Sequence, residues 1–258
     1  MIDRRFPVAF VCALLLAASA PPLAVAQEDE PEPVVYGVYL QCEPAHAARA
    51  SELIRDSWGP IVQAHVDAGH IASWGALTHH TGGSWSRVVY LVGMDRSQLF
   101  QTLDDTGAEW MEADPEGAAE FWEICDEHED YVWTYVDGSA PAAEIVQDRP
   151  TAGMSVYWVC DQNQQAVADL IVENVMAKAW NAQVEAGLIN NWGWYAHMIG
   201  DKYRRLLAVD GASHDALLEA RENVISWVGE KEPALGSAFS NACNEHVDYL
   251  WNIESSAM

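Results

Sequence analysis

The nine residues Cys125–Trp133, "CDEHEDYVW", return near the C-terminus as "CNEHVDYLW", Cys243–Trp251. The same shift of 118 positions carries Cys42 onto Cys160, Gly69 onto Gly187, Trp74-Gly75 onto Trp192-Gly193 and His79 onto His197. It also carries Arg87 onto Arg205, Pro115 onto Pro233 and Phe121 onto Phe239, and it holds without a gap from Val38 to Trp133. A period of this length is too long for a solenoid unit and matches a small domain. The chain is therefore read as one domain written twice.

Within a copy, "VVYGVYLQC" and "MSVYWVC" are β-branched and aromatic, the composition of strands. "PAHAARASELIRDSWGPIVQAHVDAG" places Ala47, Ala50, Ile54, Trp58 and Ile61 on one helical face, with Gly59-Pro60 as a point of kinking or splitting. The second copy lacks that Gly-Pro, and a continuous helix is expected there. Gly69 and Gly187 stand where a left-handed cap is wanted. "HIASWGALTHH" and "SRVVYLVGM" read as two strands around "TGGSW", and Asp95 is the expected N-cap of the next helix. "HEDYVWTYV" closes the copy as a strand. The order is β-α-β-β-α-β, which right-handed crossovers reduce to a ferredoxin-like sheet with both helices on one face.

One face of such a sheet, rich in Trp and Tyr, must be buried against something, and the second copy is the available partner. In element order, size and duplication the chain resembles the dimeric α+β-barrel superfamily, whose members pair two such sheets face to face. The resemblance implies an α+β fold of tandem ferredoxin-like repeats packed sheet to sheet, a pseudo-dimer in one polypeptide. Known families of that kind include cofactor-independent monooxygenases, haem-degrading enzymes and haem peroxidase relatives. The first-strand Asn of the haem degraders has no counterpart here: Gln41 is the nearest polar residue, and its partner is Val159.

In this topology the first and fourth strands are neighbours, so Cys42 and Cys125 meet at one sheet end. Four cysteines outside the leader allow three pairings; the duplication favours Cys42–Cys125 and Cys160–Cys243. A four-cysteine metal site is the competing reading, but the short C-x-x-C spacing of structural zinc is absent.

Residues 1–26, with a basic start, the apolar run "FPVAFVCALLLAASA" and "AVA" before Gln27, read as a secretory signal peptide. Residues 27–33 form an acidic leader, 34–136 the first repeat, 137–153 a linker, 154–253 the second repeat and 254–258 a frayed tail. The expected location is exported, periplasmic or extracellular. Removing residues 1–26 leaves 38 acidic against 11 basic residues, with no lysine between Gln27 and Thr151. Such a polyanion has no footprint for nucleic acid or for anionic membranes, and no segment after the leader is apolar enough to span a bilayer. The acid excess suits a saline medium, and it equally supplies plain solubility.

Polar residues kept in both copies mark the candidate site: His79, Arg87, His128 and Asp130, matched by His197, Arg205, His246 and Asp248. Imidazole and carboxylate can ligate a metal or share a proton. The structural alternative pairs Arg87 with Glu127 or Asp130 and leaves the histidines as strand-end caps. His46, His65, His70 and His214 have no histidine counterpart and read as surface residues. Trp74, Trp85, Trp192, Trp194 and Tyr203 fall on the second and third strands, where they could line a cavity between the sheets. No nucleophile elbow, P-loop, zincin helix or dinucleotide fingerprint occurs. Three functions follow: a binding module for a small apolar ligand, or a non-catalytic one; an oxygenase-like or haem-handling enzyme; and a His/carboxylate metal-binding protein. Catalytic residues, metal and cofactor are unassigned by the sequence.

Overall fold

The structure, a computed structural model, describes residues 32–139 and 150–257. The expected signal peptide, most of the leader and most of the linker lie outside the described residues. The first copy runs β1 (Val34–Gln41), α1 (Ala47–Glu52), a π-helical turn (Leu53–Trp58), α2 (Gly59–Asp67), β2 (Ser73–Gly82), β3 (Arg87–Gly93), α3 (Arg96–Ala113), α4 (Pro115–Ile124) and β4 (Glu127–Gly138). The second repeats it as β5 (Ala152–Cys160), α5 (Gln165–Ile171), a π-helical turn (Val172–Met176), α6 (Ala177–Glu185), β6 (Asn191–Ile199), β7 (Arg205–Gly211), α7 (His214–Lys231), α8 (Pro233–Ala242) and β8 (Cys243–Ala257). Each copy is an antiparallel sheet in ferredoxin-like order, β4-β1-β3-β2 and β8-β5-β7-β6. The edges then join, β2 to β8 and β4 to β6, and close an eight-stranded barrel. Closure satisfies the backbone of every edge strand, which face-to-face packing alone leaves open.

Local chemistry accounts for the element ends. Asp95 caps α3 by accepting from the Gln98 N–H at 2.7 Å, and Ser213 does the same for α7 from Ala216. Gly69 and Gly187 take φ of 75° and 72° and end the α2 and α6 helices. The first helix departs from expectation in copy two: both copies carry a π-helical turn at the same place, so Gly59-Pro60 is not its cause. A further helix, α4 or α8, stands before the last strand of each copy; Asp114 caps α4, and Pro115 or Pro233 opens it. The C-terminal segment, expected to fray, continues β8 through Ala257 and pairs with β2.

Alternation along the strands divides the side chains into three layers. Leu40, Leu53, Ile54, Trp74, Leu91, Trp110 and Phe121 fill the space between the first sheet and its helices, and the second copy repeats this with Met154, Trp180, Trp192, Trp194 and Phe239. The barrel interior is packed by Tyr39, Trp85, Tyr131, Trp133, Tyr157, Tyr203, Tyr249 and Trp251. Tyr131 stacks on Trp133 at 5.1 Å, and their counterparts Tyr249 and Trp251 stack at 4.7 Å. Tyr39 meets its own counterpart Tyr157 edge-on at 5.5 Å on the pseudo-twofold axis. Such aromatic pairs each add about 0.5–1.5 kcal/mol beyond the burial of their area. Both cystines form, Cys42–Cys125 and Cys160–Cys243, at one end of the barrel, which suits an oxidising compartment.

Candidate functional site

The repeated polar residues separate into three environments. Arg87 and Arg205 leave the barrel outward and are buried beneath the first helix of their copies. Arg87 donates to Glu254 of the other half at 3.0 Å, to the Ala47 carbonyl and to Ser51. Arg205 forms a bidentate pair with Asp169 at 2.6 Å and reaches Gln165. The partners are thus helix and β8 residues rather than Glu127 or Asp130. Trp74, Trp192 and Trp194 belong to the same helix-facing layers, where their indole N–H groups donate to Gln63, Asn181 and Asp169. Of the five aromatics proposed for the inter-sheet space, Trp85 and Tyr203 are the two that face it.

His79 and His197 lie at the two joints between the copies, each against the aromatic pair of the other half. His79 sits 6.2 Å from the rings of Tyr249 and Trp251, and His197 sits 6.0 Å and 6.1 Å from Tyr131 and Trp133. His79 is exposed, whereas both ring nitrogens of His197 are buried with no partner among the described residues. Burial, with Arg204 second, lowers the His197 pKa and keeps the ring neutral. Asp210, on β7, is a second polar group turned inward. Asn191 donates to one of its oxygens at 2.8 Å, the other is unpartnered, and burial raises its pKa to about 6.

His128 with Asp130, and His246 with Asp248, point outward at the cystine end, and the two copies differ there. His128 lies 3.6 Å from Asp130. In copy two, His246 Nδ1 is 2.6 Å from Asp248, whose other oxygen accepts from Arg221 at 2.8 Å. Arg221 replaces Leu103 of the first copy and was not singled out by the repeat, because the repeat highlights what the copies share.

Beside this cluster a cavity of about 170 Å³ is lined by Thr81, Gly82, Met154, Leu218, Arg221, Asp248, Tyr249 and Leu250. Its origin is a difference in side-chain size between the copies. In copy one Tyr36 and Phe100 meet edge-on at 6.3 Å and, with Met198, fill the equivalent space. Met154 and Leu218 stand at those places in copy two. Leu218 and Arg221 share one face of α7 with His214, which stacks on His80 of β2 at 3.9 Å and hydrogen-bonds the Trp251 carbonyl at 2.9 Å. The cavity therefore opens where a strand of one half meets a helix of the other. Among the described residues no three His, Cys, Asp or Glu side chains gather as a metal set, and no helix is long and apolar enough to cross a membrane.

No family model matches the chain, and no curated protein matches it by sequence. Solved structures do match in shape. A candidate monooxygenase from Fusobacterium nucleatum aligns with TM-score 0.62 at 8% identity, covering 87% of this chain and 94% of its own. A candidate monooxygenase from Lactobacillus acidophilus aligns at 0.59 and 7% identity, covering 88% and 96%. An anthrone oxidase-like protein aligns at 0.54 and 14% identity, covering 89% and 94%. At these identities the likeness is one of fold. The chain has the dimeric α+β-barrel fold, with both halves carried in one disulfide-stapled polypeptide.

Proposed function

We propose that this is an exported, non-catalytic binding module that takes one small, largely apolar molecule in the cavity beside Asp248. The observation that carries the reading is the exchange of Tyr36 and Phe100 for Met154 and Leu218 in the second copy, at the place where the cavity lies. This pocket, about 170 Å³ and open on one side to solvent, has room for a benzene-sized guest. Met154, Leu218 and Leu250 supply its apolar walls, and the Arg221–Asp248 pair at the rim suits a single hydroxyl or carboxylate on the guest. A haem does not fit this pocket: pockets for drug-sized ligands run to roughly 300–1,000 Å³, and the barrel interior is filled by rings.

The test is a thermal-shift and calorimetric titration with phenol, benzoate and cyclohexanol. A ligand at a hundredfold excess over its Kd stabilises by about 2.7 kcal/mol. The Met154→Tyr, Leu218→Phe double variant, which transplants the first copy's residues, should abolish binding while preserving the fold. Arg221→Ala should weaken benzoate more than cyclohexanol. No shift across the panel, or a shift that survives the double variant, overturns the proposal.

A second reading, a cofactor-independent oxygenase, is supported by the unpartnered neutral imidazole of His197 against Tyr131 and Trp133 and by the names of the fold neighbours. Such a ring can act as a base, although the filled interior weighs against substrate entry there. Oxygen uptake with anthrone that is lost in His197→Ala would favour it over the binding module.

A further inference from the structure

A second histidine constellation lies far from the repeated positions, at the C-terminal end of α2. His65, 8% exposed, lies in the last turn of that helix, and His70 follows the left-handed Gly69. The turn is closed by the His70 N–H donating to the His65 carbonyl at 3.0 Å and the Gly69 N–H to Val66 at 2.9 Å. It brings the two imidazoles together with Nδ1 facing Nδ1 at 3.0 Å and the rings inclined at 58°. On its far side His65 turns Nε2 toward Glu109 of α3, 3.4 Å away.

We propose that His65 and His70 form a two-nitrogen site for a borderline divalent transition-metal cation, Cu²⁺ above all. Two imidazole nitrogens placed cis at about 2.0 Å on a tetragonal cation lie about 2.8 Å apart. The observed pair, at 3.0 Å, is within a few tenths of an ångström of that separation. Glu109 supplies the outer partner that ligating histidines use: a carboxylate accepting from the Nε2–H of His65 favours the tautomer that leaves Nδ1 free to ligate. In that tautomer His65 Nδ1 is the acceptor and His70 Nδ1 the donor of the 3.0 Å contact. A cation would take the place of that single proton, which moves to the exposed Nε2 of His70. His70 is exposed, so the remaining coordination positions are open to water. Imidazole donors and the affinity order of first-row divalent ions both favour Cu²⁺. The site belongs to one copy alone, since Gln183 and Leu188 stand at the matching positions of the other. It is independent of the cavity beside Asp248.

The experiment is calorimetric titration of the untagged full chain with Cu²⁺ at neutral pH, with electron paramagnetic resonance on the loaded protein. One ion per chain is expected, carrying two imidazole nitrogens. His70→Ala should lower affinity at least tenfold, Glu109→Gln should lower it about tenfold, and His246→Ala should leave it unchanged. No binding, binding indifferent to His70→Ala, or a spectrum with fewer than two imidazole nitrogens overturns the assignment. The spectrum of the unmodified chain decides the matter should a variant misfold.

Discussion

Asp210 enters the barrel interior on β7 with one oxygen satisfied by Asn191 and one orphaned, and burial lifts its pKa from 3.8 to about 6. The folded carboxyl thus keeps its proton to higher pH than the unfolded one, and folding takes up a proton between those values. Its contribution to stability is greatest below about pH 4 and declines through the window up to about 6. Above that it is a penalty on the order of 3 kcal/mol. His197 acts with the opposite sign: its lowered pKa gives a contribution present above the unfolded value near 6.5 and lost as pH falls. Urea denaturation of Asp210→Asn against the unmodified chain, from pH 3.5 to 7.5, should show the variant gaining relative stability as pH rises. A difference that is flat with pH would refute this placement of the charge cost. His197 stood out in the sequence as the repeat counterpart of His79, whereas Asp210 did not. Asp210 has Val92 as its counterpart, and its inward direction depends on the register of β7 against β5 and β6.

At the scale of elements, the repeated phrase combines a staple and a strand. Cys125 closes α4 just before β4 begins, and its bond to Cys42 ties that point to the end of β1; Cys243 does the same for β8 and β5. Each cystine joins residues 83 positions apart. In the chain-entropy model a loop of that size is worth about 4–5 kcal/mol. Replacing Cys160 and Cys243 by Ala, with the other cystine intact, should lower the unfolding free energy by several kcal/mol in urea titration. A loss below about 1 kcal/mol would mean that the barrel already confines those ends. The helices were less legible than the strands. Pro115 and Pro233, with Asp114 before the first of them, are helix-start signals for α4 and α8, yet the six-element ferredoxin-like template has no place for these helices. The π-helical turns leave no residue signature in either copy, because they adjust how the first helix rides over the sheet.

At the scale of the molecule, two sheets share one aromatic interior and donate their edges to each other. Residues 32–139 alone would expose Tyr39, Trp85, Tyr131 and Trp133 to water and leave β2 and β4 unpaired. Expressed alone, that half should dimerise or aggregate, as light scattering coupled to size exclusion would report. A monodisperse folded monomer would contradict the shared interior. The pseudo-symmetry also gives the candidate site its meaning. Arg87 and Arg205, kept in both copies, form buried ion pairs, whereas Leu218 for Phe100 and Arg221 for Leu103 distinguish the cavity of the second copy from the same place in the first.

Sequence alone was enough for the duplication, the strand order within a copy, the caps at Asp95, Gly69 and Gly187 and the cystine pairing. Each of these follows from spacing, local backbone preference or the identity of a residue with its own repeat. Closure of the barrel, the direction in which the tryptophans point, the Glu254 and Asp169 partners of the arginines, and the cavity were decided by tertiary structure. Strand alternation says that neighbouring side chains face opposite ways, but which way is inward depends on a partner strand distant in the chain. Empty space depends on the sizes of side chains that meet only once both halves have closed.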